Sequence, residues 1–404
     1  MRILIVHEVD YSNKPVFEFQ MLAEILSVLG HEVIVIDYPQ GKLTIHFERH
    51  PILRAWVAHN VHRAYKDASL TIMRPFPSEL PALTRLSYVL NIGKLLKEII
   101  GSQEIDFILL YSVPHSGWQT IKLARNYNIP VVFRSIDALH QIVPNKIYQY
   151  LVKILEKYVY RNSDLILALT PKLMNYTIQL GANPSRVKLQ LTGADTNLFK
   201  PLSKNLNLAE KWGFKQYDKI VLFAGTLYKF SNLDWLAEHW GQVLKEIPEA
   251  KLLILGKGPL FKKLKAIIKK NDLEKNIILT DWQPYELLPD FINLADICIN
   301  IFQLNDITRD IIPSKLFQYL ACAKPVIISP LPGTRDILIG GENGVVYAKD
   351  NFDALGLIIK VLKNKSEARK IGQNGYNLVK EKYNWQKITE NILKEIKDRF
   401  KIRD

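Results

Sequence analysis

Asp310-Ile-Ile-Pro-Ser-Lys-Leu-Phe-Gln-Tyr-Leu-Ala-Cys-Ala-Lys-Pro-Val-Ile-Ile-Ser-Pro330 is the stretch whose reading decides the fold. It passes from a polar loop into a helix and then into a buried strand. Ser314 stands at an N-cap or early-turn position, and Leu316, Phe317, Tyr319 and Leu320 supply an apolar face. Pro325 ends the helix before the apolar run Val326-Ile-Ile328. A helix start that opens a β-unit favours a phosphate, because its N–H groups and dipole point at negative charge. Lys315 adds a mobile cation at the same place.

Working outward, strand and helix signals alternate along most of the chain. Arg2–Val6, a helix over 16–29 and Glu32–Ile36 read as a βαβ unit. Further strands are expected at Ile105–Tyr111, Pro130–Arg134, Asp164–Thr170, Lys219–Leu227, within Ala250–Pro259 as a strand and turn, in the stretch Ile277–Glu286, at Ala295–Asn300 and at Gly344–Tyr347, with helices between them. The first loop, Glu8 to Pro15, has no Gly-x-Gly-x-x-Gly, which counts against a nicotinamide dinucleotide enzyme and against close backbone approach to a ligand there, so that side chains are expected to do the reading. The region from Arg49 to Ile100 is basic and aromatic. His50 to Lys66 has helical spacing, as has Thr84 to Ile100, and Trp56 and Tyr65 suit an anionic bilayer surface. Domain helices with solvated basic faces are the bland alternative. His50, His59 and His62 are read as solvated or packed side chains.

With 404 residues, 48% hydrophobic and 23% charged, the chain suits two domains of a globular protein. Cys298 and Cys322 lack metal spacing and read as buried thiols of a reducing compartment. The net charge of +14 calls for an anionic partner. No nucleic-acid motif accompanies it, so nucleic acid is a distant option. Met1 to Val6 runs into charged residues and not into a cleavage site, and no apolar run reaches the roughly 18 residues of a membrane helix. The expected location is cytoplasmic, at most peripheral at the inner face of the membrane.

Pro313-Ser-Lys-Leu-Phe-Gln-Tyr-Leu-Ala321 followed by Lys324-Pro-Val-Ile327 resembles the donor-binding signature of retaining, nucleotide-sugar-dependent glycosyltransferases of the GT-B fold. The likeness runs from about Pro130 to Trp385 and includes Gly193-Ala-Asp-Thr-Asn-Leu-Phe-Lys-Pro201. It implies an α/β chain of two Rossmann-like domains facing across a cleft, with residues 1–200 binding the acceptor, a linker at 201–215, residues 216–384 binding the donor, and a C-terminal helix, 385–404, returning to the first domain.

The resemblance also carries roles residue by residue. Donor binding falls to Gly225, Thr226, Lys229, Gly256, Gly258, Trp282, Asp310, Ser314, Lys315, Leu316 and Gln318. Catalysis falls to Asp137, His140 and Lys315. Several positions depart from the family pattern. Thr226 and Ser231 replace an arginine and a lysine, leaving Lys229, Lys315 and backbone N–H groups for the diphosphate. Ile136 replaces a histidine, and Asp310 and Gln318 stand where the family has two glutamate-type acids. Gln318 can still pair with a ribose diol, without the charge that strengthens such bonds.

The resemblance implies a metal-independent hexosyltransferase with no cofactor beyond its nucleotide-sugar co-substrate, most simply a UDP-sugar. The acceptor would be a glycan or lipid-linked molecule in cell-surface polysaccharide or glycoconjugate synthesis, with peripheral contact to an anionic membrane. A non-catalytic nucleotide-sugar or glycan-binding relative is the second reading, to which Gln318, Thr226 and Ile136 lean. A nucleotide-sugar epimerase of the same fold is the third.

Overall fold

The structure, a computed structural model, describes residues 1–13, 16–38, 45–76, 84–143 and 145–402, with the backbone alone at 84–86. Lys14 and Pro15 of the first loop lie outside the described residues. Two compact units emerge, Met1–Leu191 with Thr389–Asp404, and Thr192–Ile388. Residues 201–215 thus fall inside the second unit, where Leu206–Lys211 is a helix capped by the Asn205 side chain.

The first unit contains β1 (Arg2–Val6), β2 (Glu32–Ile36), β3 (Glu48–His50), β4 (Ala55–Val61), β5 (Leu70–Pro75), β6 (Phe107–Leu110), β7 (Val131–Ser135), β8 (Leu165–Ala168) and β9 (Val187–Leu189). Among the described residues they form one sheet in the order β3-β4-β5-β2-β1-β6-β7-β8-β9. Only β4 runs against its neighbours. The central strands are apolar on both faces, as strands covered by helices must be. Helix Thr84–Ser102 supplies Tyr88, Ile92, Leu95, Leu96 and Ile99 to one side of that core.

The segment from His50 to Lys66 corrects the helical reading: it is a turn, the strand β4 and a loop. A bulge between Ala58 and Val61 breaks the two-residue alternation, so the apolar residues recur with a helix-like spacing. Arg54 and Asn60 adopt left-handed backbone, which no continuous helix accepts. Trp56 packs edge-on against Phe76. The segment is therefore an inner strand of the sheet, between β3 and β5, with its flanking turn and loop.

The second unit contains β10 (Lys219–Ala224), β11 (Ala250–Leu255), β12 (Ile277–Leu279), β13 (Ile297–Asn300), β14 (Val326–Ile328) and β15 (Val345–Tyr347). Its order is β12-β11-β10-β13-β14-β15, parallel throughout. The order in which strands are added reverses between β10 and β13, and open α/β sheets bind ligands beyond the strand ends at such a point. Trp240, Leu236, Ile254 and Ile299 are among its fully buried core side chains. The last helix, Trp385–Phe400, joins the first unit from Thr389 onward, where Glu395 pairs with Lys188 at 2.5 Å.

Gly256 holds two loops of this sheet edge together. Its φ is +131°, and an added Cβ would lie 2.1 Å from the Gly225 carbonyl oxygen. Gly241, by contrast, sits in helix Leu233–Glu246 with nothing within 4 Å of such a Cβ. We expect Gly256→Ala to cost about 3 kcal/mol, and Gly241→Ala to add about 0.5–1 kcal/mol of stability. Denaturant unfolding of the two variants measures both, and equal effects would refute the close backbone approach.

Candidate functional site

In the second unit the site is built at the reversal point. Lys315 opens the helix Lys315–Ala321, and its Nζ lies 3.9 Å from the Phe223 ring centroid and 5.3 Å from that of Phe302. Phe223 belongs to β10 and Phe302 follows β13, so the ammonium spans the two strands on either side of the reversal. Among the described residues no carboxylate lies within ion-pair distance of it. Burial without a counter-ion pushes its pKa down to about 7. The rings return part of that cost through their negative faces. Gly225 makes the position available, because a Cβ there would meet Nζ at 2.5 Å.

The remaining predicted donor residues fall around this point with different tasks. Gly225 N–H donates to Leu255 O, Leu227 N–H to Lys257 O, and Gly256 N–H to Asp281 O. A Cβ on Gly258 would meet Leu227 backbone at 2.7 Å. These glycines therefore let backbones touch. Thr226 is half-buried and its carbonyl accepts from Tyr228 N–H. Lys229 is exposed in the short turn Lys229–Ser231, between Tyr228 and Phe230, which stack on each other. Phe230 in turn packs on Phe302, the ring below Lys315. Trp282 is exposed beside Asp281, whose carboxylate accepts its N–H at 2.7 Å.

Ser314 holds the N-cap position in helical backbone without a side-chain capping bond, and two early donors, Leu316 N–H and Phe317 N–H, already go to Pro313 O and Ser314 O. Leu316 itself is fully buried. The charge of Lys315 is thus the stronger attraction for an anion here. Asp310 packs under Gly333, where a Cβ would come within 2.7 Å of the Asp310 carbonyl carbon. Gln318 faces the hydroxyl of Tyr285, whose pKa burial and Asp195 raise. Tyr319 was read as core and does more: its hydroxyl accepts from Ala224 N–H at 2.7 Å and donates to Ala224 O at 3.2 Å, tying the end of β10 to the Lys315 helix.

In the first unit, Asp137 and His140 follow β7. Asp137 is exposed, yet the protein packed around it and the Glu18 carboxylate raise its pKa. Glu18 itself grips the buried Arg134, which also donates to Leu167 O and Gln190 O. His140 Nδ1 lies 2.8 Å from the buried Glu156 carboxylate and 2.6 Å from the Tyr176 hydroxyl, which donates to the same carboxylate at 2.6 Å. Glu156 has no Lys or Arg partner among the described residues. It fixes the ring and leaves Nε2 as the nitrogen able to face a ligand.

Sequence reasoning missed a second such pair. Glu8 follows β1 and His115 follows β6, the two strands that flank this sheet's own reversal. The Glu8 carboxylate accepts from His115 Nδ1 and His115 N at 2.9 Å each, and from the Ser112 hydroxyl. Burial works against its charge, but these bonds prevail and hold its pKa below the usual range. His7 alongside is no acid or base at neutral pH, since burial lowers its pKa to about 3. Among the described residues of the first loop, side chains hold the backbone. Asp10 accepts from Ser12 N–H and Asn13 N–H, and Arg74 joins Asp10 and Asp37 at 2.6–2.8 Å.

Among the described residues no group of His, Cys, Asp and Glu has the arrangement to hold a metal ion. Cys298 and Cys322 are buried free thiols.

The Lys315 environment sets a pH dependence. A bound anion favours the ammonium, so binding should weaken as pH rises from 6 through 7 toward 9, and Lys315→Met should abolish that slope. Protein stability runs the other way. The unfolded chain keeps this lysine protonated to about 10.4, so the folded form gains stability as pH rises from 7 toward that value. Titration calorimetry with pyrophosphate at several pH values tests the first statement, and an unchanged slope in the Met variant would refute it.

The fold and these groups can be set beside known proteins. The model of the Glycosyl transferases group 1 family matches residues 205–378, and that of the Glycosyl transferase 4-like domain matches 17–189. One uncharacterized glycosyltransferase of Methanocaldococcus jannaschii is 24% identical over 62% of this chain and 62% of its own length. A second from that organism is 26% identical over 76% of this chain and 80% of its own. The crystal structure of Anabaena HepE in complex with UDP and glucose superposes with a TM-score of 0.72 at 16% identity, covering 98% of this chain and 100% of that one. Sucrose-phosphate synthase from Thermosynechococcus elongatus does so with 0.72 at 16% identity, over 99% and 100%.

Proposed function

We infer a sugar transfer from what the chain is: it belongs to the group 1 glycosyltransferases and has the GT-B fold. The donor in this reading is a nucleotide diphosphate sugar, with UDP as the nucleotide. The observation that carries it is the Lys315 ammonium, buried at the strand reversal of the second unit without a carboxylate. A diphosphate supplies the charge that this cation lacks. HepE, which shares the fold, binds UDP and glucose, and that supports the uridine assignment.

Lys315 and Lys229 then stabilise the charge that develops on the leaving diphosphate, work that cations can do with no metal. Gln318 pairs with the ribose hydroxyls, and Trp282 lies beside the base. Asp137 and His140 act on the transferred sugar. We assign retention of configuration, no cofactor beyond the nucleotide-sugar, and a glycan or lipid-linked acceptor held by the first unit. The product belongs to cell-surface polysaccharide or glycoconjugate synthesis, at the cytoplasmic side of a membrane with which the protein makes peripheral contact.

The test is a binding and hydrolysis screen against UDP-, GDP-, CDP- and ADP-sugars, repeated with Lys315→Ala and Gln318→Ala. UDP-sugar binding at least tenfold tighter than the others, weakened at least tenfold in Lys315→Ala and accompanied by slow UDP release in the presence of chelator, is the expected result. Glycan product whose new linkage keeps the donor's anomeric configuration establishes retention. A sugar altered without acceptor would instead make the protein an epimerase. Binding without turnover would make it a non-catalytic relative, and no binding to any donor would end the transferase reading.

A further inference from the structure

The helix Lys146–Asn162 has two working faces. One is inside the protein, with Val152, Glu156, Val159 and Tyr160 buried. The other should be polar in a globular protein, and it is not. Ile147 is 74% exposed, Tyr150 68%, and Leu151 and Ile154 48% each. At 100° per residue these four lie within an arc of about 100°. Lys146, Lys153 and Lys157 are exposed along one border of that arc and Arg161 within it at the helix end, and the one acid of the helix, Glu156, is on the buried face.

The geometry points to this outer face of Lys146–Asn162 as the surface that lies on an anionic lipid bilayer. An apolar stripe of Ile, Leu and Tyr enters the headgroup boundary while the lysine stems reach back to the phosphates. A protein partner fits less well, because interface cores are depleted in lysine. The chain's charge of +14 adds long-range attraction to the same surface. No described helix is long and apolar enough to cross the membrane, so contact of this kind is peripheral. The inference deepens the membrane contact of the proposed transferase, on whose lipid-linked acceptor it rests for its purpose. It replaces the 50–66 segment, whose strand β4 lies between β3 and β5, with a surface of the right chemistry. Because Glu156 on the inner face holds His140, one helix ties a candidate catalytic side chain to the bilayer.

The test is co-sedimentation of the full chain with phosphatidylglycerol–phosphatidylcholine vesicles and with pure phosphatidylcholine vesicles. Wild type should partition at least tenfold better onto the anionic vesicles, and added salt should weaken it. The combined variant Ile147→Ser, Leu151→Ser, Ile154→Ser should lose at least tenfold while keeping its melting temperature and UDP-sugar binding. Equal partition onto both vesicle types, or no loss in the variant, overturns the proposal. A dimer in solution that the variant abolishes, with no vesicle binding, overturns it in favour of a second copy. Vesicle binding that depends on the stripe, in a protein that binds no nucleotide-sugar, upholds the bilayer face and removes only the transferase.

Discussion

An ammonium ion taken out of water and given aromatic rings in place of a carboxylate is the interaction on which the second unit's ligand edge depends. Water is a better solvent for Lys315 than Phe223 and Phe302 are, which is why its pKa falls to about 7. Such a charge persists only where the surrounding structure imposes it. Gly225 leaves room for Nζ, and the Tyr319 hydroxyl clamps the end of β10 to the helix that carries Lys315. Gly256 and Gly258 close the adjoining loops backbone to backbone. The cost of holding the cation dry is recovered when an anion arrives, so the unit is arranged for a bound state.

The first unit handles charge in the opposite way. Arg74 is shared by Asp10 and Asp37, Arg134 is held by Glu18, and the Glu24 carboxylate accepts three successive N–H groups from Arg63 to Tyr65 at 2.7–2.8 Å. These buried pairs are made within the unit and fix loop shape, although Arg74 Nη1 is left without a hydrogen-bond partner among the described residues. Removing one partner would strand the other, so they specify the edge of the sheet without offering charge to a ligand. What remains available are the two imidazoles, His115 and His140, each with one nitrogen held near a carboxylate. The second unit thus holds a cation without a carboxylate, and the first holds two imidazoles oriented by carboxylates.

Much of this was legible in the sequence, and the gaps have physical causes. Short apolar runs such as Glu32–Ile36 and Val326–Ile328 are the strands read from them, because buried parallel strands need nothing but apolar side chains. Lys315 could be found because a helix start after a strand marks a ligand edge. The strands β3, β4 and β5 were not legible, since a bulge and two left-handed residues hide the alternation. Ser314 has the residue type of a cap without forming the bond, a matter of backbone angle that composition does not carry. The glycines of Gly256-Lys-Gly258 stand at the expected loop, and the close backbone contacts they permit are a feature that a Gly-x-Gly pattern alone does not specify.

Glu156 shows that a missed residue can still leave a signal. In Lys146–Asn162 the positions Val152, Val159 and Tyr160 set the buried face, and Glu156 shares it at helical spacing. An acid on an apolar face needs a partner, and three-residue and four-residue neighbours on the same helix supply only Tyr160, at 3.4 Å. The partner therefore had to come from elsewhere in the fold, and His140 and Tyr176 are what arrive. The apolar residues displaced to the outside of the same helix break the pattern from the other side. A helix that places its acid inward and Ile147 and Ile154 outward carries two patterns at once, a polar cluster behind it and an apolar stripe in front.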